Sequence, residues 1–523
     1  MTTATPRRTR RPHRLTSVAK PSGVLHPRGL KVGPEHFGIV AFDCAKARSK
    51  GMLADFYGRI LVPPTTVEHS RLGFENAIAA LRQAITTHDL RDVIIAIEQT
   101  GVYHRPIQRA FTAAGFETRI VHPLTSKQFR LPADPQNKTD DTDLNAIHRA
   151  AVNGFGLIEP KRNRTYQELQ LIERHRRDLV RKNATLRNQI HVELDALLPG
   201  LSAAVGNLFD HEPARVIARQ VGSAQEIRAL GLEGLAAILK AQSVRYQRRS
   251  LTRILAWAEQ THNGTELSGV HHKIFTILDD ERLARLRTIR SLERDLAAQL
   301  VQTPYVLLMS IPGINVVSAA EFAGEMGPIE NYPSDRAITG RAGLFPARDQ
   351  SDTVDRCNGP LVHQANHALR YAILQIADNL LQCNSYFRGL YAGWNQAGVN
   401  RRLMCVRAAK RFCRIAYRMV AGRQVFRHPS CRERHYIIEK LSTFYVEHET
   451  AMDQVLRDLG AAAGWIPLAE RGAEAVPLKA AMTQVPSRRR SGPYRLGEIL
   501  PEVLLRLGVP MVESQSKGEA DLT

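Results

Sequence analysis

The chain has 523 residues, 43% hydrophobic and 24% charged, which is the balance of a globular protein of roughly three domains at about 150 residues each. Its 72 Lys and Arg against 51 Asp and Glu leave a net charge of +21, so a polyanionic partner is expected, and the predominance of Arg points to nucleic acid over a membrane surface. No apolar run approaches the roughly 18 residues of a membrane span, and the Arg-rich N-terminus has no apolar signal core. The six cysteines are scattered without a C-x-x-C pair, which indicates neither a zinc site nor a disulfide framework and fits an intracellular protein with reduced thiols in a cytoplasm.

Residues 1–34 carry eight Lys or Arg and no acid, the composition of a flexible basic arm or an inert leader. From His36 the pattern changes to short apolar runs, "HFGIVAFD", "MLADFYGRILV", "DVIIAIE" and "TRIVHP", which read as strands. Between them "RLGFENAIAALRQAITTH" and "YHRPIQRAFTAAG" carry helical spacing. The order is two or three strands, then helix, strand, helix, strand, helix. This is an α/β unit over residues 35–160, and the third and fourth runs are apolar enough for central strands covered on both faces.

Residues 165–197 and 274–300 hold long helical patterns, readable as coiled-coil arms or as core helices of a bundle because the a, d spacing is imperfect. They bracket a helical region assigned to 161–302. A helical domain over 303–435 opens at "LLMSIPGINVVSAAEFAGEMG", and residues 436–523 are a helical extension with a basic tail.

The chemistry concentrates in "NKTDDTDLNAIHRA", where Asp140, Asp141 and Asp143 open a helix. Capping and the helix dipole account for one or two acids there. Asp140 and Asp143, three apart, also project from one face with Cβ atoms about 5–6 Å apart. Two further acids close buried runs, Asp43 after "FGIVAF" and Glu98 after "VIIAI", and an ionised carboxylate at a low-dielectric core costs several kcal/mol unless it is paired or metal-bound. Either these acids cap turns separately, or four carboxylates converge at one sheet edge. In the second case each like-charge pair costs roughly 4 kcal/mol at 4 Å and an effective dielectric of 20, so cations are required, and oxygen-only ligands select Mg2+ or Mn2+.

These residues resemble a known family. "FD" at Asp43, "IEQTGVYHRPI" around Glu98, "V-x-P" at 121–123 and "NKTDDTDLNAI" look like the RuvC-like domain of DEDD transposases of the insertion-sequence 110 group. "IPGINVVSAAEFAGEMG", "AGLFPARDQS" and "NHALRYAILQIADN" resemble the C-terminal transposase domain of the same enzymes, in the same order and after a helical insertion. The likeness runs over about residues 36–430. It implies a RuvC/RNase H-like mixed sheet domain and a helical transposase domain, with Asp43, Glu98, Asp140 and Asp143 binding Mg2+ or Mn2+. It also implies that Ser351, after the "GL-x-P" block, is the nucleophile. Asp141 is the unmatched acid and is expected to point away on the helix. The chain departs from the family pattern at Asp352, where Gly is usual, and at "VHQAN" over 362–366.

Residues 401–432 contain ten Lys or Arg and no acid. Arg407, Arg411, Arg414 and Arg418 recur along one helical face, as a phosphate-contacting stripe or as a solvated face. "IPGI" resembles the hairpin of a helix-hairpin-helix, in which amides near Gly313 receive a phosphate, or else simply a turn. The resemblance adds a structured bridge RNA that selects donor and target duplexes, and a dimer or tetramer whose sites combine the acidic domain of one subunit with Ser351 of another. The expectation is a DNA transposase that cuts and rejoins strands. Its rivals are a RuvC-type nuclease using metal-activated water and an inactive nucleic-acid-binding copy.

Overall fold

The protein, seen in a computed structural model, is described at residues 25–132, 137–158, 163–262, 266–347, 349–351, 354–356, 359–431 and 433–474. It divides into two compact units, residues 1–161 and 162–523.

The first unit runs α1 (Leu25–Val32), β1 (Phe37–Cys44), β2 (Arg48–Asp55), β3 (Ile60–Glu68), α2 (Arg71–Thr87), β4 (Asp92–Glu98), α3 (His104–Ala113), β5 (Glu117–Val121), α4 (Pro123–Arg130) and α5 (Asp140–Val152). The sheet order is β3-β2-β1-β4-β5. The first three strands form an antiparallel meander, and β4 and β5 add in parallel beside β1, giving the expected RuvC-like mixed sheet. "MLADFYGRILV" contributes to two strands, since the chain turns at Gly58, whose φ of 93° favours glycine. "TRIVHP" yields the edge strand β5 and not a central one; its outer side is met by the backbone of Leu157, bridged to Ile120.

Strand alternation sorts the core onto two faces. Phe37, Ile39, Ala41, Ile94, Ala96 and Val121 pack under Leu144, Ile147 and Ala151 of α5, while Val40, Phe42, Ile95 and Ile97 meet Leu81, Ile107 and Phe111 of α2 and α3. Of the expected basic arm, residues 1–24 lie outside the described residues. Residues 25–32 form α1, anchored by Arg28 to Asp92 at 2.6 Å and to Glu117 at 2.8 Å.

Among its described residues the second unit is helical apart from one small hairpin. It comprises α6 (Arg164–Leu197), α7 (Leu201–Val205), α8 (Glu212–Gln220), α9 (Ala224–Ala241, broken at Gly231), α10 (Arg248–Gln260), α11 (Ser268–Leu300), α12 (Val316–Met326), α13 (Asp335–Arg341), β6 (Asp349–Ser351), β7 (Val354–Arg356), α14 (His367–Cys383), α15 (Ser385–Gln396), α16 (Arg401–Ala421), α17 (Ile437–Glu447) and α18 (Met452–Trp465). The two long helices α6 and α11, each about 50 Å by helical rise, lie antiparallel, with Arg176 on Glu293 at 2.9 Å and Glu193 on His271 at 2.7 Å. One end of the pair joins a core with α7 to α10, built on Ile190, Leu194, Leu197 and Phe275. The other end, through Leu169, Leu296 and Leu300, joins a core shared by α12, α14, α16, α17 and α18, which continues to Ile466. Gly324 permits this junction, since a Cβ there would lie 2.9 Å from the backbone nitrogen of Gln170.

Polar residues inside the seam explain the imperfect heptad. Glu173, Asn183 and Asp279 are buried where apolar residues would stand in a regular coiled coil. Burial pushes the Glu173 carboxyl up to about 8 against the pull of Arg176, with Glu321 and Glu293 adding repulsion. Because the folded value lies above the unfolded one of 4.5, this group's stabilisation is complete below the unfolded value and is lost as pH rises towards 8. Glu173→Gln is expected to flatten that decline and to stabilise the protein by about 1–3 kcal/mol at pH 8, as read by urea unfolding at several pH values. An unchanged slope would contradict the assignment.

Candidate active site

Asp43 and Glu98 continue the alternation of β1 and β4 onto the face covered by α5, one step beyond the parallel pair Phe42 and Ile97. α5 begins just there because Thr139 and Thr142 form a reciprocal capping box. Its sheet-facing stripe of Leu144, Ile147 and Ala151, followed back by one turn, reaches Asp143 and Asp140. The fold thus brings all four predicted acids to the carboxyl ends of the two central strands.

Their electrostatics register the crowding. Burial raises the Asp43 carboxyl, and Asp143 and Asp140 push it further, opposed by Lys138 and the Cys44 amide. Burial likewise raises Glu98; the Ser126 hydroxyl, which donates to it, pulls the other way, and Asp43 and Asp143 add repulsion. Asp143 has Arg130 Nε at 3.2 Å, with both side chains mostly buried. Asp141 turns to Lys50, 2.8 Å away, whose nitrogen also lies 4.0 Å from Asp140, and Lys50 stands directly across the β1–β2 ladder from Asp43.

Among the described residues no group of three or more His, Cys, Asp or Glu side chains is drawn together tightly enough to hold an ion. Each acid instead leans on a protein donor or cation. The donor set still fits a divalent ion: it is oxygen-only, and two of its members are raised by desolvation and mutual repulsion that a hard cation relieves. The sequence reading missed Ser126, Arg130 and Lys50. Ser126 and Arg130 lie one turn apart on α4, a spacing visible in sequence, but nothing local aims that face at Glu98 and Asp143.

In the second unit, Ser351 closes β6 and pairs with Val354 across the hairpin; its side chain and the whole of Asp352 lie outside the described residues. Gly313, with a φ of 93°, sits in the turn between the 3-10 helix Pro304–Ser310 and α12. That turn is tied down on its carbonyl side. Asn379 donates to the Gly313 oxygen, Asn384 donates to Pro312 at 3.1 Å, and Lys440 spends all three donors on Met309, Ile311 and Ile314 at 2.6, 3.1 and 3.0 Å. Burial pulls the Lys440 ammonium down to about 8, which leaves it charged at neutral pH.

Arg407, Arg411, Arg414 and Arg418 are all exposed on α16, while Met404, Ala408, Phe412 and Ala416 on the opposite side are buried. Arg407 lies over the Trp394 ring and Arg411 over the Tyr386 ring, each at 5.9 Å, and Arg414 reaches Asp335 at 3.5 Å. The rings hold two guanidinium groups in place before any ligand arrives. No helix among the described residues is long and apolar enough to cross a membrane, and Cys44, Cys383, Cys405, Cys413 and Cys431 are free thiols.

Comparison with known proteins adds family evidence. Residues 40–199 match the DEDD family of IS110 elements, described as "Transposase", and residues 305–392 match the "Transposase IS116/IS110/IS902 family". The curated transposase for insertion sequence element IS1328 of Yersinia enterocolitica is 24% identical over 337 residues, covering 64% of this chain and 85% of that protein. The first match contains the four carboxylates and the second contains Gly313 and Ser351, whereas the α16 arginines lie beyond both.

Proposed function

Since this chain belongs to the IS110 family of transposases, enzymes whose substrate is DNA, we propose that it cuts and rejoins DNA strands by metal-dependent phosphodiester transfer with Ser351 as the nucleophile. Residues 35–160 serve as the RuvC-like catalytic domain and residues 303–435 as the transposase domain. The observation that supports the reading most is the convergence of Asp43, Glu98, Asp140 and Asp143 from two strands and one helix, with Asp43 and Glu98 raised by burial and repulsion.

Those four side chains would hold Mg2+ or Mn2+, and the bound ions supply Lewis-acid stabilisation of a departing oxygen. The chain's own groups do the rest. Ser351 Oγ attacks phosphorus and gives up its proton; the bond to the 3' oxygen breaks, and that oxygen leaves as a hydroxyl. The phosphate stays on the serine as a 5'-phosphoserine, which conserves the bond for rejoining. Arg407, Arg411, Arg414 and Arg418, with the turn at Gly313, grip backbone phosphates without reading bases. Sequence choice then falls to a bridge RNA, and a homo-oligomer, dimer or tetramer, acts in the cytoplasm.

A RuvC-type nuclease is the second reading, favoured by one observation: all four acids come from a single compact unit. A trapping assay separates the two. Wild-type protein with element-end DNA, flanking RNA and Mg2+ is expected to yield a protein-linked DNA strand, and Ser351→Ala none. Normal cutting by Ser351→Ala without an adduct would replace transfer by hydrolysis.

A further inference from the structure

Beside the acids lies a cavity of about 430 Å3 lined by Glu98, Ser126, Lys127, Arg130, Lys138 and Asp143 among others. Its walls carry two carboxylates and three cations, so it is built for more than a metal ion. Arg130 is the informative member. Its Nε is buried and sits 3.2 Å from Asp143 Oδ1, yet it makes no hydrogen bond there, because the alignment is wrong. A buried guanidinium N–H left in this state is costly and rare. An arginine placed only to neutralise Asp143 would close that bond.

We propose that Arg130, assisted by Lys138, is the phosphate-binding half of this site: when Asp143 turns to a divalent cation, the guanidinium takes a non-bridging oxygen of the DNA phosphodiester. The inference rests on the reading of the four carboxylates as a cation site. Its chemistry follows from the two ligand types that a metal-bound phosphodiester presents. The carboxylates meet the cation, and a planar, permanently charged fork meets the phosphate oxygens. Ser126, one turn before Arg130 on α4, holds Glu98, so a single helix positions a carboxylate and the anion-binding group together. Lys127 follows on the same rim, and Lys138 stands two residues before α5. In the resting protein Arg130 also competes with metal for Asp143.

Two opposite changes are therefore expected in full-length Arg130→Gln. Mn2+ affinity, measured by electron paramagnetic resonance of free Mn2+, should hold or rise by a few fold because a competing cation is gone. Affinity for a short fluorescein-labelled DNA duplex in Ca2+ should fall by about ten-fold, and the salt dependence of binding should lose about one counterion. Arg130→Lys should recover the salt slope. Weakened Mn2+ binding in Arg130→Gln would mark Arg130 as a structural prop for Asp143, and unchanged DNA affinity with an unchanged slope would show that it touches no phosphate; either overturns the proposal. Asp43→Asn, run alongside, tests the underlying reading separately. If Mn2+ binding survives that change, the cation site itself is wrong, whatever Arg130 does.

Discussion

Asp43→Asn is expected to lower strand cleavage by about a thousand-fold or more, close to 4 kcal/mol in the barrier, while making the metal-free protein more stable. Both effects have the same origin. Asp43 is a half-buried strand-terminal carboxylate pushed up first by desolvation and then by Asp143 and Asp140, so its charge destabilises the fold in the absence of a cation. Neutralising it relieves repulsion of about 1–2 kcal/mol, well under the roughly 4 kcal/mol of an ideal pair at 4 Å, because Asp140 is largely exposed and Lys138 screens the cluster. On the proposed reading it also removes a metal ligand, so added Mg2+ is expected no longer to raise the melting temperature. Single-turnover cleavage and thermal melts with and without Mg2+ check the pair. A variant that loses activity but keeps the full Mg2+ stabilisation would place the ion elsewhere.

The largest expected loss of stability lies in the second unit, where α11 of the long helix pair meets α8. Asp279 has no solvent exposure and receives Arg282 at 2.7 Å, Arg219 at 2.8 Å and Arg215 at 3.1 Å. Burial alone would raise its carboxyl, but the three guanidinium groups outweigh that and hold it below the ordinary carboxylate value. Asp279→Ala removes the anion while the cations stay. Arg219 keeps Asp280 at 2.6 Å and Arg215 keeps Glu212 at 3.7 Å. Arg282, almost fully buried against the Phe209 ring, keeps no carboxylate that close among the described residues. Stranding a buried charge in this way costs about 3–5 kcal/mol, measurable by urea unfolding. The folded carboxyl lies below its unfolded value of 3.8, so the wild-type advantage is present above that pH and is lost as pH falls through the folded value. An advantage that persisted in acid would contradict the ion-pair account.

The acids were legible in the sequence because each lies on a short-range period. Ile39, Ala41 and Asp43 share one side of a strand, Ile94, Ala96 and Glu98 share another, and Asp140 and Asp143 share a helix face. The two long helices and the exposed α16 arginine stripe were legible for the same reason. What answered the acids was not. Lys50 faces Asp43 through hairpin register, Arg130 reaches Asp143 through the packing of α4 against α5, and Arg215 and Arg219 meet Asp279 from sixty or more residues away in the chain. By itself, then, the sequence determined the periodic faces, and with them the sheet unit, the helix pair and the carboxylate set. Tertiary structure decided which cation or hydroxyl stands beside each buried acid. The reason is that hydrophobic periodicity is a local property of backbone geometry, whereas charge pairing depends on through-space distances of a few ångströms that no local pattern encodes.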